Sequence, residues 1–187
     1  MNMKYDVILA DPPWKYRKQI GDLATDDFYP TMDIEDICSL PIGEFASDNS
    51  ILFLWTTPPT LLEYAPLVFD AWGFEYKTKG FCWVKSNPSG FGFRMGTGYY
   101  TGSNTEDCLI GIRGSMPRVG STEQIIFAPV QEHSRKPDIQ YGKIEKLYPN
   151  MNYLELFARR KREGWDVWGN EVDSDIELEA YESATRI

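Results

Sequence analysis

Histidine is almost missing from this sequence: His133 is the single one in 187 residues. A Ser-His-Asp or Cys-His hydrolase would depend wholly on it, and Ser134 beside it in sequence does not give the spatial arrangement such a triad requires. Cysteine is scarce as well, with Cys38, Cys82 and Cys108 odd in number, widely separated and set among apolar neighbours. They read as buried free thiols. Without a Cys-x-x-Cys pair or paired histidines, zinc is disfavoured and no metal is expected. No apolar run approaches the length needed to span a bilayer, and the first residues lack the basic-then-apolar pattern of a signal peptide. The expectation is a cytoplasmic protein with no membrane partner.

Positive charge is also in short supply, 19 Lys and Arg against 28 Asp and Glu for a formal net charge of -9. That balance argues against indiscriminate nucleic-acid binding. The deficit is uneven, because between His133 and Arg162 eight basic residues face three acidic ones. A local basic face and a solvated helix surface with a charged loop both fit this run. What the chain does have is apolar and aromatic content, 42% and 14%. At this length it makes about one domain with a sizeable core.

The chemistry begins at Lys4-Tyr-Asp-Val-Ile-Leu-Ala-Asp-Pro-Pro-Trp14. Tyr5, Val7, Ile8, Leu9 and Ala10 form a nearly continuous apolar run, the mark of a strand buried on both faces of a parallel sheet. Pro12 and Pro13 remove two backbone donors and hold the chain extended, so the Asp11 and Pro12 carbonyls stay available to a ligand. A carboxylate, a fixed carbonyl and the Trp14 indole suit a flat molecule with an exocyclic amine, which they would grip by two acceptors and a stacking face. Density directed onto the nitrogen makes it the better nucleophile.

Along the chain, Lys15 to Pro30 has no period and reads as a mobile loop, with Tyr29 as an aromatic wall or a local packing residue. Asp33 caps a helix to Leu40, broken by Pro41 and Gly43. Strands are expected over Ser50–Thr56, Phe74–Lys85, Glu106–Arg113, Gln124–Pro129 and Tyr153–Ala158, with Glu155 unusual inside the last. Helices are expected over Thr60–Trp72 and from Pro137 to Leu147. The rhythm is that of an α/β sheet with crossover helices. Asn87 to Asn104 carries five glycines but neither a G-x-G-x-x-G nor a P-loop spacing. Its Phe91, Phe93, Arg94, Tyr99 and Tyr100 suit stacking on unpaired bases, or an ordinary surface loop. Residues 1–172 are expected to form the domain and 173–187 an acidic tail, loose or ending in a short helix.

Asp11-Pro12-Pro13-Trp14 resembles the Asp-Pro-Pro-aromatic motif of S-adenosylmethionine-dependent amino methyltransferases, and after a Val-Ile-Leu-Ala strand it resembles the MT-A70 family of N6-adenine methyltransferases. Tyr29-Pro30-Thr31-Met32, the Glu106-x-Cys108-Leu109 stretch, Ser134-Arg135-Lys136-Pro137, and Glu155-Leu-Phe-Ala-Arg159 followed by Trp168-Gly-Asn-Glu171 are similar to its further motifs, in its order, over roughly residues 4 to 171. The resemblance implies a Rossmann-like methyltransferase fold, a largely parallel twisted sheet flanked by helices in circularly permuted motif order. It implies Asp11, Pro12, Pro13, Trp14 and Lys136 as catalytic residues. Asp11, Lys136, Arg159, Lys161, Asn170 and Glu171 would hold S-adenosylmethionine, and Trp14, Tyr29, Glu106 and Arg135 would meet the substrate. Arg135 and Lys161 depart from the histidines of eukaryotic members. The implied activity is site-specific methylation of N6 of adenine in DNA. RNA as substrate, a catalytically silent binding subunit and methylation of a protein amide are the alternatives. Nucleic acid is the implied partner, DNA ahead of RNA, and a homodimer is left open.

Overall fold

The computed structural model describes residues 3–15, 31–58, 60–96, 98, 100–131 and 135–178. The expectations for Tyr29, for the loop from Tyr16 to Pro30, and for Tyr99, His133 and Ser134 therefore lie outside the described residues.

Strand β1 (Tyr5–Ala10) explains its own apolar run, because it lies between two parallel neighbours, β2 (Ala46–Thr56) and β6 (Tyr153–Leu156). Its side chains alternate between two cores. Ile8 and Ala10 join Leu52, Leu54, Val68, Phe69 and Trp72 on one face. Val7 and Leu9 join Ile51, Phe53, Trp55, Tyr141 and Ile144 on the other. Each such side chain buried from water is worth about 1.5–3 kcal/mol, so both faces must be covered by helices. Helices α1 (Ile34–Ser39), α2 (Ile42–Phe45) and α3 (Ala65–Trp72) cover the first face, and α4 (Ile139–Leu147) covers the second.

The sheet continues through β3 (Glu75–Ser86), β4 (Thr105–Arg113), β5 (Ile125–Pro129) and β7 (Trp165–Trp168), in the order β5-β3-β4-β2-β1-β6-β7. Pairings β1·β2, β1·β6, β3·β5 and β6·β7 are parallel, and β4 runs antiparallel to both β2 and β3. The largely parallel sheet expected above is therefore mixed at β4. The first strand of the chain sits beside its last two, which is the permuted arrangement. One rim consequently gathers the ends of β1, β2, β3, β5, β6 and β7 with the start of β4, and such rims are where open α/β sheets bind ligands.

Several boundaries differ from expectation. Residues 60–64 form turns in which the Thr60 hydroxyl donates to the Thr57 carbonyl, and Pro66, which has no N–H, fits only the first turn, so α3 begins at Ala65. Asp33 does not cap α1 with its side chain and pairs with Lys15 at 3.0 Å instead. Helix α4 starts at Ile139, leaving Pro137 just outside it. Short α2 and β7 were not anticipated. Within the segment placed above in the tail, Asp175, Ile176 and Leu178 pack onto the sheet and its core. Asp175 N–H donates to the Val167 carbonyl at 2.8 Å, its carboxylate accepts from Val167 N–H at 3.0 Å, and Leu178 is 4% exposed.

Gly111 in β4 is needed for close approach, since a Cβ there would lie 2.5 Å from the Phe69 ring of α3. Gly142 on the exposed side of α4 has nothing within 4 Å of that position. Gly111→Ala should therefore destabilise by about 1–3 kcal/mol through overpacking, whereas Gly142→Ala should stabilise by about 0.4–1 kcal/mol. Urea unfolding of the two variants checks the opposite signs.

Candidate active site

Strand β1 ends at Ala10, and the two prolines that follow keep the chain from continuing as strand or helix, so Asp11 is presented at the rim. The Lys136 ammonium donates to both Asp11 carboxylate oxygens, each at 2.8 Å. Lys136 also reaches Glu106 of β4 at 3.1 Å, and Glu106 in turn pairs with Lys85 of β3 at 2.5 Å. The Trp55 ring of β2 lies 5.6 Å from the Lys136 nitrogen. Four charged side chains from four parts of the chain thus alternate in sign at one place.

The protonation states follow from burial and pairing. Burial raises the Asp11 carboxyl above its usual value, and Lys136 opposes that shift. Burial pushes Glu106 up as well, but Lys136 and Lys85 outweigh it and hold the carboxyl low. Burial would deprotonate Lys136, yet Asp11 and Glu106 together keep its ammonium above the ordinary lysine range.

The turn itself departs from expectation in two respects. The Pro12 carbonyl is not free, because it accepts from Trp14 N–H at 2.9 Å, and the Pro13 carbonyl accepts from Met32 N–H at 2.9 Å. One lone pair of the Pro12 oxygen remains for a ligand. Trp14 does not offer an open stacking face: it is 3% exposed, and its indole N–H donates to the Trp55 carbonyl at 3.1 Å. A buried indole needs an acceptor, and this one braces the turn against β2.

Two contacts fix α4, and with it Lys136. Trp55 Nε1 donates to Gln140 Oε1 at 2.6 Å, and the Tyr141 hydroxyl donates to the two Glu155 oxygens at 2.9 and 3.0 Å. These link α4 to β2 and β6, the strands on either side of β1. Neither Lys85, Gln140 nor the Tyr141–Glu155 pair was singled out from the sequence. The one visible signal was Glu155, a carboxylate where a buried strand should be apolar.

On the far side of β1, the tips of β6 and β7 meet closely. Ala158 N–H donates to the Trp168 carbonyl at 2.9 Å, and a Cβ on Gly169 would lie 2.1 Å from the Ala158 oxygen. This sets Arg159 beside Glu171, 3.8 Å between Nε and Oε1, with Asn170 adjacent in the chain. A guanidinium, a carboxylate and an amide are the donor and acceptor types that a methionine carboxylate and a ribose diol require, so S-adenosylmethionine fits this set. Lys161 points elsewhere, to Asp175 at 2.7 Å, and Arg135 pairs with Asp138 at 2.6 Å.

The family model of MT-A70 matches residues 5–171. The chain is 34% identical to a type II methyltransferase, M.MunI, of Mycoplasma sp, an alignment covering 94% of this chain and 81% of that protein. It is 32% identical to an N(6)-adenosine-methyltransferase MT-A70-like protein of Arabidopsis thaliana and to the N(6)-adenosine-methyltransferase catalytic subunit METTL3 of Homo sapiens. Those two alignments cover 90% and 91% of this chain but only 24% and 28% of the relatives. Among the described residues, no helix is long and apolar enough to cross a membrane.

Glu155 supplies a pH test of this geometry. Burial, only partly opposed by the Tyr141 hydrogen bond, pushes its carboxyl up to about 7 from 4.5. The folded state therefore binds this proton more tightly than the unfolded state, and the stability it contributes is present at low pH and lost as pH rises through about 7. Glu155→Gln should gain on the wild type by an amount on the order of 2 kcal/mol between pH 5 and pH 8. Chemical denaturation at the two pH values reads the difference.

Proposed function

The chain belongs to the MT-A70 family of S-adenosylmethionine-dependent methyltransferases, and on that premise we propose that it methylates N6 of adenine in DNA. The observation that carries the proposal is the Asp11 carboxylate, clamped by Lys136 at the tip of β1 beside the remaining lone pair of the Pro12 carbonyl. Asp11 and the Pro12 carbonyl accept the two amine hydrogens, which raises electron density on the nitrogen. Lys136, donating to both Asp11 oxygens, favours the accepting, ionised form against burial, and Pro13 shapes the turn. Trp14 stiffens the turn through its hydrogen bond to the Trp55 carbonyl, and Glu106 borders the base. Arg159, Asn170 and Glu171 hold the methyl donor from the β6 and β7 side of β1, with Lys136 between the two ligands. Bound S-adenosylmethionine supplies an electrophilic methyl group on a sulfonium centre.

DNA is favoured because the type II methyltransferase is matched over most of its length, whereas the adenosine methyltransferases are matched over about a quarter of theirs. The 32% identity to the latter supports RNA as a second reading. In a duplex the target adenine has to leave the stack, at a cost of about a few kcal/mol. A cytoplasmic setting goes with either substrate.

Asp11→Ala should lower methyl transfer by about 10²-fold or more while the circular dichroism spectrum stays that of the wild type. Near-normal turnover would remove Asp11 from the chemistry. Mass-spectrometric quantification of N6-methyladenine in matched DNA and RNA oligonucleotides, at one salt concentration, should show the larger yield in DNA.

A further inference from the structure

We propose that Phe91, Phe93, Arg94 and Phe127 form a stacking surface for unpaired bases a few nucleotides from the target adenine, so that the protein holds a single strand more tightly than a duplex. The proposal rests on the protein acting on nucleic acid. Phe93 faces Ser86, the last residue of β3, across an antiparallel bridge, and Arg94 N–H donates to the Lys85 carbonyl at 2.8 Å. The turn between them is closed by Gly90 N–H on the Asn87 carbonyl at 2.8 Å and by the Asn87 side-chain amide on the Phe91 carbonyl at 2.9 Å. A hairpin thus springs directly from Lys85, whose ammonium pairs with Glu106 and through it with Lys136. Three inter-strand spacings separate the tips of β3 and β1, roughly 14 Å, which is about the rise of four stacked nucleotides.

Exposure and charge set this surface apart. Phe91 is 83%, Phe93 63% and Phe127 52% exposed. Exposed rings forgo the burial that drives folding, and rings in contact with one another mark a binding surface where scattered ones do not. Phe93 and Phe127 meet edge to face, with centroids 6.1 Å apart and planes at 87°, and exposed Ile125 shares the Phe127 face of β5. In such a pair the edge-on ring keeps both of its faces clear of its partner, open to a flat ligand. Asn87 to Asn104 holds a single charged residue, Arg94, which is exposed, and β5 holds none, in a chain of net charge -9. A phosphate backbone therefore meets no carboxylate of this segment. Phenyl rings beside a guanidinium are the composition of single-strand sites, where the rings take base faces and the cation takes a phosphate or stacks in turn. Paired bases keep their faces inside the duplex, so a surface of this kind discriminates between the two forms. An apolar patch also suits a second copy of the chain, but its origin at Lys85, beside the reacting cluster, favours the substrate strand.

The test measures binding of a labelled, adenine-containing single-stranded oligonucleotide and of its duplex to the full chain, by fluorescence anisotropy over a salt series. The wild type should bind the single strand the more tightly. Phe91→Ala and Phe93→Ala should each weaken single-strand binding by about 5- to 100-fold, the usual effect of removing a ring that stacks on a base, and duplex binding by less than about twofold. Arg94→Gln should lower the slope of log affinity against log salt for the single strand by about 0.7, one phosphate contact. Tyr76→Ala removes a comparably exposed ring near the opposite end of β3 and should leave both affinities within about twofold of the wild type. Unchanged single-strand affinity in Phe91→Ala and Phe93→Ala overturns the proposal, as does an equal loss for single strand and duplex. A wild type that sediments as a dimer, with Phe93→Ala sedimenting as a monomer, also overturns it by giving the patch to a second copy of the chain. Binding without methyl transfer by the wild type would overturn the catalytic reading alone.

Discussion

Lys136 has a side chain 7% exposed, and an ammonium that far from water is tolerated only where anions meet it. Asp11 and Glu106 are those anions, and Lys85 completes a set of two positive and two negative charges. Removing Lys136, the member that meets both carboxylates, breaks two of these pairs at once, and breaking a buried pair costs about 3–5 kcal/mol in comparable cases. The tips of β1, β3 and β4 and the segment before α4 must therefore arrive together, with the Trp55 ring of β2 beneath them. That constraint accounts for the central position of β1. Only a strand flanked on both sides can present its terminal carboxylate to partners from so many directions.

The rest of the structure supports this point from either side. Gln140 on Trp55 and Tyr141 on Glu155 pin the first turn of α4, so that Lys136, just ahead of the helix, has little freedom. On the opposite flank, the close meeting of Ala158 and Gly169 brings Arg159 and Glu171 to the same rim. Asp11 and the Arg159–Glu171 pair, the proposed amine and methyl-donor sites, thus occupy neighbouring strand tips, although they lie more than a hundred residues apart in the chain. On the proposed reading, rigid strands would set the distance between the two ligands, and near-attack geometry of that kind is a large part of what a transferase contributes.

Much of this was legible in the sequence wherever a residue's role is expressed locally. The apolar run of β1 ending at Asp11-Pro12-Pro13 announces a two-sided buried strand with a turn after it, and the positions of Lys136, Arg159 and Glu171 followed from their motifs. What stayed hidden depends on partners far along the chain. Nothing near Lys85 indicates Glu106, and nothing near Trp14 indicates that the Trp55 carbonyl will take its N–H and close off the ring. Strand β7 spans only Trp165–Trp168 and follows a basic run, so it has too few residues to show a period. The packing of Ile176 and Leu178 was masked by the acidic residues around them.

Charge compensation at Lys136 is most directly tested by single-turnover methyl transfer in Lys136→Met alone and combined with Glu106→Gln. The single variant leaves Asp11 without its cation and facing a Glu106 held by Lys85 alone, so its rate should fall by at least about 10²-fold. Neutralising Glu106 relieves that repulsion, and the double variant should recover part of the loss. A single variant with an unimpaired rate, or a double variant slower than the single, would contradict a site organised around this ammonium.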